Sequence, residues 1–320
     1  MVRRNLIFCL MMVAFLAACS TSDAIIGDDF VLVRAKTGEE STNLADRWLG
    51  SRALAWRIDE LNGSIKEGDM VLIPKRDLRP SGISPQGVEG VIILSYHHIK
   101  DEKNCRGTTV CVQDFRDQID YMVKNGIPII SLQTFTRHFQ NGERLPPNAV
   151  VLTFDDGWKS TYDYAFPILE EYGLPATVFV YTDFVSAPAG LTWDQLKEME
   201  AGGIFEVQSH SRTHSNLPKV LATLEGDDKA EFLEKEIGTP NKIFARKMGG
   251  APYAFAYPYG AANGEVTKVV AEQNLKIGLT VTRGPVPMYA DRLKLRRTMI
   301  FGEDSLADFK RKIKSRIELP

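Results

Sequence analysis

From residue 90 onward, short apolar runs and amphipathic stretches alternate along the chain. Strand-like runs fall near 91–95, 127–130, 149–153, 176–180, 204–207, 253–257, 277–281 and 297–301. Between them, apolar residues recur at helical spacing near 113–125, 132–140, 160–172, 193–201, 218–237, 264–274 and 305–316. This alternation predicts an α/β fold, a parallel sheet with crossover helices. Roughly seven repeats can close into a barrel, and functional residues should then sit on the loops that follow the strands.

A smaller pattern precedes it. Phe30-Val31-Leu32-Val33 is strand-like, 42–49 and 53–61 have helical spacing, Asn62-Gly63 stops the second helix, and Gly68 to Pro74 closes with a strand. The order β-α-α-β marks residues 30–76 as a compact unit. Residues 77–88, rich in Pro, Gly and Ser, read as a linker. At the start, Arg3-Arg4 precede an apolar run from Leu6 to Ala18, too short to cross a bilayer as a stable helix. Residues 1–18 therefore read as a secretory signal peptide, followed by a tether at 19–29.

Composition narrows the function class. The 320 residues carry a net charge of -2, with 44% hydrophobic and 25% charged residues, and no Lys/Arg stripe marks a nucleic-acid footprint. Of four cysteines, Cys9 leaves with the signal and Cys19 stands at its end. Cys105 and Cys111 remain in a Gly/Thr-containing loop. In an oxidising compartment they could close a small disulfide loop, with two free thiols as the alternative.

Chemistry concentrates in two stretches. Thr153-Phe154-Asp155-Asp156-Gly157 ends the apolar run Ala149 to Leu152, and His210-Ser211-Arg212-Thr213-His214 follows the strand-like Ile204 to Gln208. Two carboxylates and two imidazoles at strand ends can converge on one divalent cation, and three protein ligands leave a position open for water. That set points to a hydrolase using Zn²⁺, with Co²⁺ or Ni²⁺ also suited.

These motifs resemble the polysaccharide deacetylases with a NodB-homology domain, carbohydrate esterase family 4. The resemblance extends through Trp158-Lys159-Ser160, Ala165 to Leu169, Gly173 to Val180, Leu191 to Leu196, Phe255 to Gly260, and Ser95-Tyr96-His97-His98. It covers roughly 88–302 and is strongest to exported poly-N-acetylglucosamine deacetylases. It implies a distorted (β/α)7 barrel over 89–320 and N-deacetylation of N-acetylglucosamine units in a polysaccharide.

Residue by residue, the resemblance makes Asp156, His210 and His214 the metal ligands and Asp155 the general base. The Tyr259 backbone N–H becomes an oxyanion donor. Ala256 stands where much of the family has the Arg that orients the base, and Arg296 or Arg297 could supply that charge from another strand. None of the five histidines follows His214, so the family's late catalytic His is absent, and His97 is the substitute general acid. His98 should point the opposite way, and His138 should lie on a helix surface. Trp158, Trp193 and Tyr257 are candidate substrate contacts, with core packing as the alternative reading.

Two further resemblances concern the N-terminal part. Leu16-Ala17-Ala18-Cys19 is similar to a bacterial lipobox, which implies lipidation of Cys19, a membrane anchor, and a place in the cell envelope at the periplasmic face of the outer membrane. Residues 30–76 resemble a LysM module, a binder of N-acetylglucosamine polymers. The alternatives to an N-deacetylase are an inactive glycan-binding scaffold and an O-acetyl esterase on an envelope glycan.

Overall fold

The computed structural model describes residues 24–27, 30–75, 83–84, 87–141, 143, 145–287 and 290–317. Residues 1–18, expected to be a signal peptide, the expected lipidation site Cys19, and most of the expected tether and linker segments lie outside the described residues. The chain divides into two compact units, residues up to 79 and residues from 80.

In the first unit, strands β1 (Ala24–Ile26), β2 (Phe30–Arg34) and β3 (Met70–Pro74) form an antiparallel sheet in that order. Helices Ser41–Leu49 and Trp56–Asn62 lie between β2 and β3 in the chain, which gives the expected β-α-α-β order. β1 is an addition, because residues 24–26 belong to the segment read as a tether. Val31, Val33, Leu44, Ile58 and Ile73 form the core, and Trp48 packs against it. Asn62 clasps the end of the second helix to β3. Its Nδ2 donates to Ile58 O at 2.7 Å and Leu72 O at 2.8 Å, and its Oδ1 accepts from Leu72 N at 2.8 Å.

In the second unit, β4 (Ile83–Ser84) precedes the long β5 (Gly87–Tyr96). There follow β6 (His98–Lys100), β7 (Thr109–Cys111), β8 (Val150–Phe154), β9 (Ala176–Val180) and β10 (Phe205–Ser209). The last strands are β11 (Ala254–Ala256), β12 (Ile277–Leu279), β13 (Val286–Pro287), β14 (Thr298–Met299) and β15 (Arg316–Ile317). β12-β11-β10-β9-β8-β5 is a parallel sheet, and β14 continues it parallel to β5. A parallel bridge between Leu279 and Leu295 brings the segment before β14 back to β12, so the sheet curls on itself. This is the parallel sheet that the alternation predicted, curled in the way that the resemblance to the deacetylases implied.

Strand alternation builds two cores. Ile92, Leu94 and Tyr96 face one way with Leu152, Phe154, Val178 and Val180, under Phe115, Ile119 and Met122 of helix Val112–Lys124. Val91, Ile93, Val151, Phe179, Ala254, Ala256 and Leu279 face the other way with Leu295, inside the curl. Cys105 and Cys111 are bonded in a disulfide with Cα atoms 5.5 Å apart, at the N-terminus of helix Val112–Lys124.

Three local expectations change. The strand expected at 127–130 reduces to one bridge, Ile129 to Val150, because only its middle pairs with β8. The helix expected at 218–237 breaks into Leu217–Leu221 and Asp227–Leu233, where Gly226 takes φ 53°. A π-turn at Glu234–Gly238 then leads into a helix at Thr239–Met248 that sequence reading stopped short of. Pro240 sits in that helix's first turn, where its missing N–H costs little. His138 is buried rather than on the surface, with Nδ1 2.7 Å from Glu143 O.

Replacing Asn62 with Ala should remove the clasp in the first unit and leave part-buried Leu72 backbone groups without their side-chain partner. Urea unfolding should show a loss of about 1–3 kcal/mol for that unit. The transition of the second unit should keep its midpoint.

Candidate metal centre

The site forms at the C-terminal ends of β5, β8, β10 and β11. Asp155 follows β8 and extends its ladder, its N–H donating to Tyr96 O at 2.8 Å. Its carboxylate is buried and meets Arg297 face to face, with Nη1 to Oδ1 and Nη2 to Oδ2 both 2.7 Å. Arg297 is itself fully buried. Its Nε donates to Thr280 O at 2.9 Å, its Nη1 also reaches Thr153 Oγ1 at 3.2 Å, and its guanidinium lies over the Phe179 ring at 5.6 Å. Ser95 Oγ adds a donor to Asp155 Oδ2 at 3.3 Å. Burial alone would raise the Asp155 carboxyl, but the Arg297 charge, with His210 and His97, holds it below the usual range.

Asp156 turns the other way. Its φ is 73°, and Gly157 follows at 81°. A Cβ on Gly157 would stand 2.8 Å from Val180 Cγ1, so both the dihedral and the space require glycine there. The reversal aims Asp156 Oδ1 at two imidazoles, His210 Nε2 at 3.6 Å and His214 Nε2 at 3.2 Å. All three ligand atoms lie within 4.8 Å of one another. Asp156 Oδ2 is occupied by Trp158 Nε1–H at 3.0 Å, while Oδ1 is buried without a hydrogen-bond partner.

Backbone geometry orients the histidines. His210 Nδ1 lies 2.7 Å from Ala256 O, which makes Nδ1 the protonated nitrogen and leaves the Nε2 lone pair facing Asp156. His214 takes φ 62°, with its N–H on Ser211 Oγ at 3.0 Å. Burial would raise the Asp156 carboxyl, but the two imidazoles pull it far below the usual range.

This set fits a divalent cation. Ligand atoms held about 2.1 Å from one tetrahedral ion stand about 3.4 Å apart, and the two Asp156–His separations bracket that value. An unpartnered carboxylate oxygen and two imidazole nitrogens are the donor set that zinc-type ions take.

His97 stands beside Asp155, Nε2 to Oδ2 4.0 Å, with its Nδ1 buried and unpartnered. Burial lowers it below the ordinary imidazole value, against the opposing pull of Asp155 and Asp156. Tyr259 has φ 58°, is 64% exposed, and sets its ring 4.8 Å from His214.

Two substrate-contact expectations are corrected in whole or in part. Tyr257 is fully buried and its hydroxyl donates to Leu293 O at 2.9 Å, so it is a core residue that no polymer can reach. Trp193 opens helix Trp193–Ala201 and packs edge-on against Phe244 at 5.9 Å, so core packing accounts for it. Trp158 does lie at the site, but its indole N–H is spent on the Asp156 carboxylate.

Sequence reading missed Tyr181 and Phe184. Their rings stack at 5.0 Å, Phe184 meets Trp158 at 5.0 Å, Trp158 meets His98 at 4.9 Å, and Tyr181 lies 5.3 Å from His214. With Tyr259 they make an arc of rings beside the triad. Their place just after β9 was the available signal, since barrel chemistry sits on such loops.

A curled α/β barrel with an aspartate and two histidines converging at its strand ends is the architecture of a metal-type hydrolase. The profile of the family "Polysaccharide deacetylase" matches residues 142–278 of the chain. It is similar to a Staphylococcus epidermidis protein named poly-beta-1,6-N-acetyl-D-glucosamine N-deacetylase, 26% identical over 65% of this chain and 78% of that one. An Escherichia coli K12 protein of the same name is 26% identical over 79% of this chain, and the match spans 43% of its length. Among solved structures, a Streptococcus pyogenes deacetylase, PplD, in complex with acetate has a TM-score of 0.62 at 26% identity, covering 70% of this chain and 98% of that one. IcaB from Ammonifex degensii shares the fold, with a TM-score of 0.60 at 21% identity over 70% of this chain and 96% of its own.

Substituting Met for Arg297 should leave a buried, unpaired carboxylate and cost about 3–5 kcal/mol. Pairing that change with Asp155→Asn should recover part of the loss in thermal unfolding, since the charge is gone. The sign with pH follows from the lowered Asp155 value. The pair stabilises the wild type above the unfolded carboxyl pKa of about 3.9, and this contribution is lost as pH falls through the folded value. The Met variant should lack that acid dependence.

Proposed function

We propose that this protein is a metal-dependent N-deacetylase acting on N-acetylglucosamine units of a polysaccharide, with a poly-β-1,6-linked polymer as the substrate class. The observation that carries the reading is the division of labour between adjacent aspartates. Asp156 offers a free oxygen to two imidazoles, while Asp155 is held ionised beside them by Arg297. The names of the Staphylococcus epidermidis and Escherichia coli relatives support the substrate class. The inactive-scaffold alternative rests on the missing Arg at position 256 and the missing late His; Arg297 supplies the charge, and His97 is the proposed substitute for the histidine.

Asp156, His210 and His214 would hold the ion, with Zn²⁺ first among the candidates. When bound, such an ion polarises the acetyl carbonyl and acidifies the attacking water. Asp155 is the base that takes the proton from that water. The Tyr259 N–H, presented by a turn of positive φ, stabilises the oxyanion that develops on the acetyl oxygen as water attacks the carbonyl carbon. His97, on the other side of Asp155, delivers a proton to the departing amine. Acetate and a glucosamine unit are the products. The rings of Trp158, Phe184, Tyr181 and Tyr259 give sugar faces a surface to stack on.

Export as a Cys19-lipidated protein anchored in the cell envelope, and glycan binding by a LysM-like first unit, belong to the same proposal. Asn62 in the helix-to-strand clasp and the β-α-α-β order support the LysM reading.

Acetate release from N-acetylated and O-acetylated oligosaccharides tests the activity. Release from the N-acetylated polymer alone is expected, and release confined to esters would overturn the reading. Asp155→Asn should keep stoichiometric zinc by elemental analysis yet lose turnover. His97→Ala should lower kcat by about 10²–10⁴-fold. An unchanged kcat in that variant would remove His97 as the acid.

A further inference from the structure

The His210–His214 loop has little regular structure of its own, yet it must hold His214 at φ 62° and Ser211 at φ 74°. Both are backbone conformations that non-glycine residues rarely take. Something outside the loop has to over-determine them. Part of the restraint comes from the segment after β9, where Thr182 N–H donates to Ser211 O at 3.2 Å and Asp183 N–H to Arg212 O at 3.0 Å. The residue just before His214 is tied elsewhere.

Glu236 lies in the π-turn at Glu234–Gly238, and only 4% of it is exposed. Its Oε2 accepts from Thr213 N–H at 3.1 Å and its Oε1 accepts from Thr213 Oγ1 at 2.8 Å. Thr213 Oγ1 also lies 2.7 Å from Ser215 Oγ. A hydroxyl has one proton to give. Since Thr213 gives its proton to the carboxylate, Ser215 must be the donor in the second bond. The result is a directed chain from Ser215 through Thr213 to Glu236, flanking His214 on both sides in sequence.

A carboxylate this buried is costly unless charge or donors compensate it. Among the described residues Glu236 has no cation at salt-bridge distance, and both of its oxygens go to Thr213. π-turns cost helix stability and are found at functional sites more often than chance. Glu236 sits within this turn, and its carboxylate reaches the loop between the two histidines.

The geometry points to Glu236 as a positioning residue for the metal centre, acting through Thr213 to fix the backbone from which His214 presents Nε2. It rests on the reading that Asp156, His210 and His214 bind a cation. Residues that orient metal ligands without touching the ion typically change affinity by about 10–100-fold when removed.

The test is the zinc dissociation constant of the full chain, measured by competition with a chromogenic chelator, alongside the melting temperature of the metal-free protein. Glu236→Ala and Thr213→Val should each weaken zinc binding by about 10–100-fold. Thr213→Ser keeps both donors and should bind zinc as the wild type does. Glu236→Gln retains a single acceptor oxygen and should fall between. Zinc affinity unchanged in Glu236→Ala or Thr213→Val, whatever happens to the melting temperature, overturns the inference and leaves Glu236 a purely structural group. Should Glu236→Ala fail to fold, the contrast between Thr213→Val and Thr213→Ser decides alone. Failure of the wild type to bind zinc would instead overturn the metal reading beneath it, so the two failures are distinguishable.

Discussion

The site depends on one buried ion pair. Arg297 grips both oxygens of Asp155 inside the curl of the sheet, where neither group meets solvent. Such a pair is weak evidence for stability, because desolvating both charges offsets most of their attraction. Its consequence is geometric and electrostatic. Asp155 is fixed in place and kept ionised, so it cannot swing to join its neighbour at the imidazoles. The backbone reversal at Asp156 and Gly157 completes the separation. Two identical side chains, adjacent in sequence, thereby face different partners.

The barrel supplies what this arrangement needs. Arg297 arrives just before β14, Asp155 just after β8, and Thr280 just after β12, so the guanidinium draws together segments from across the ring. His210 follows β10 and leans on the Ala256 carbonyl of β11. Asp155 and His210 each follow the end of a parallel strand, and each is aligned by backbone of a neighbouring strand, Tyr96 O for Asp155 and Ala256 O for His210. The carbonyl that fixes the His210 tautomer belongs to the residue that stands where an Arg would be expected. The base is the expected Asp155, and only its guanidinium partner, Arg297, comes from a different part of the chain than in that expectation, with the same local charge.

Much of this was legible beforehand. The apolar runs gave the strands because parallel strands buried on both faces leave continuous hydrophobic signatures. The paired motifs gave the triad because their chemistry is dense and local. Arg297 was legible only as one of two neighbouring arginines, since nothing in sequence tells which of Arg296 and Arg297 points inward. Tyr257 was misread for the same reason that β11 was recognised. An aromatic beside a motif looks like a substrate contact, but strand alternation turned it into the core. The helix expectation at 218–237 failed where backbone irregularity decided, at Gly226 and in the π-turn. His138 was misplaced because a polar ring on an amphipathic helix reads as surface until its carbonyl partner is seen. Tyr181 and Phe184 were passed over because loop aromatics carry no periodicity, and only their place just after β9 marked them.

The account stands on a single cation held between one carboxylate oxygen and two imidazole nitrogens, with Asp155 left outside the ligand set. Anomalous X-ray scattering from crystals of the zinc-loaded protein, collected on both sides of the zinc edge, tests this directly. One peak about 2.1 Å from Asp156 Oδ1, His210 Nε2 and His214 Nε2 is the predicted result. A peak bound to Asp155, or a zinc site that leaves out either histidine, would contradict it.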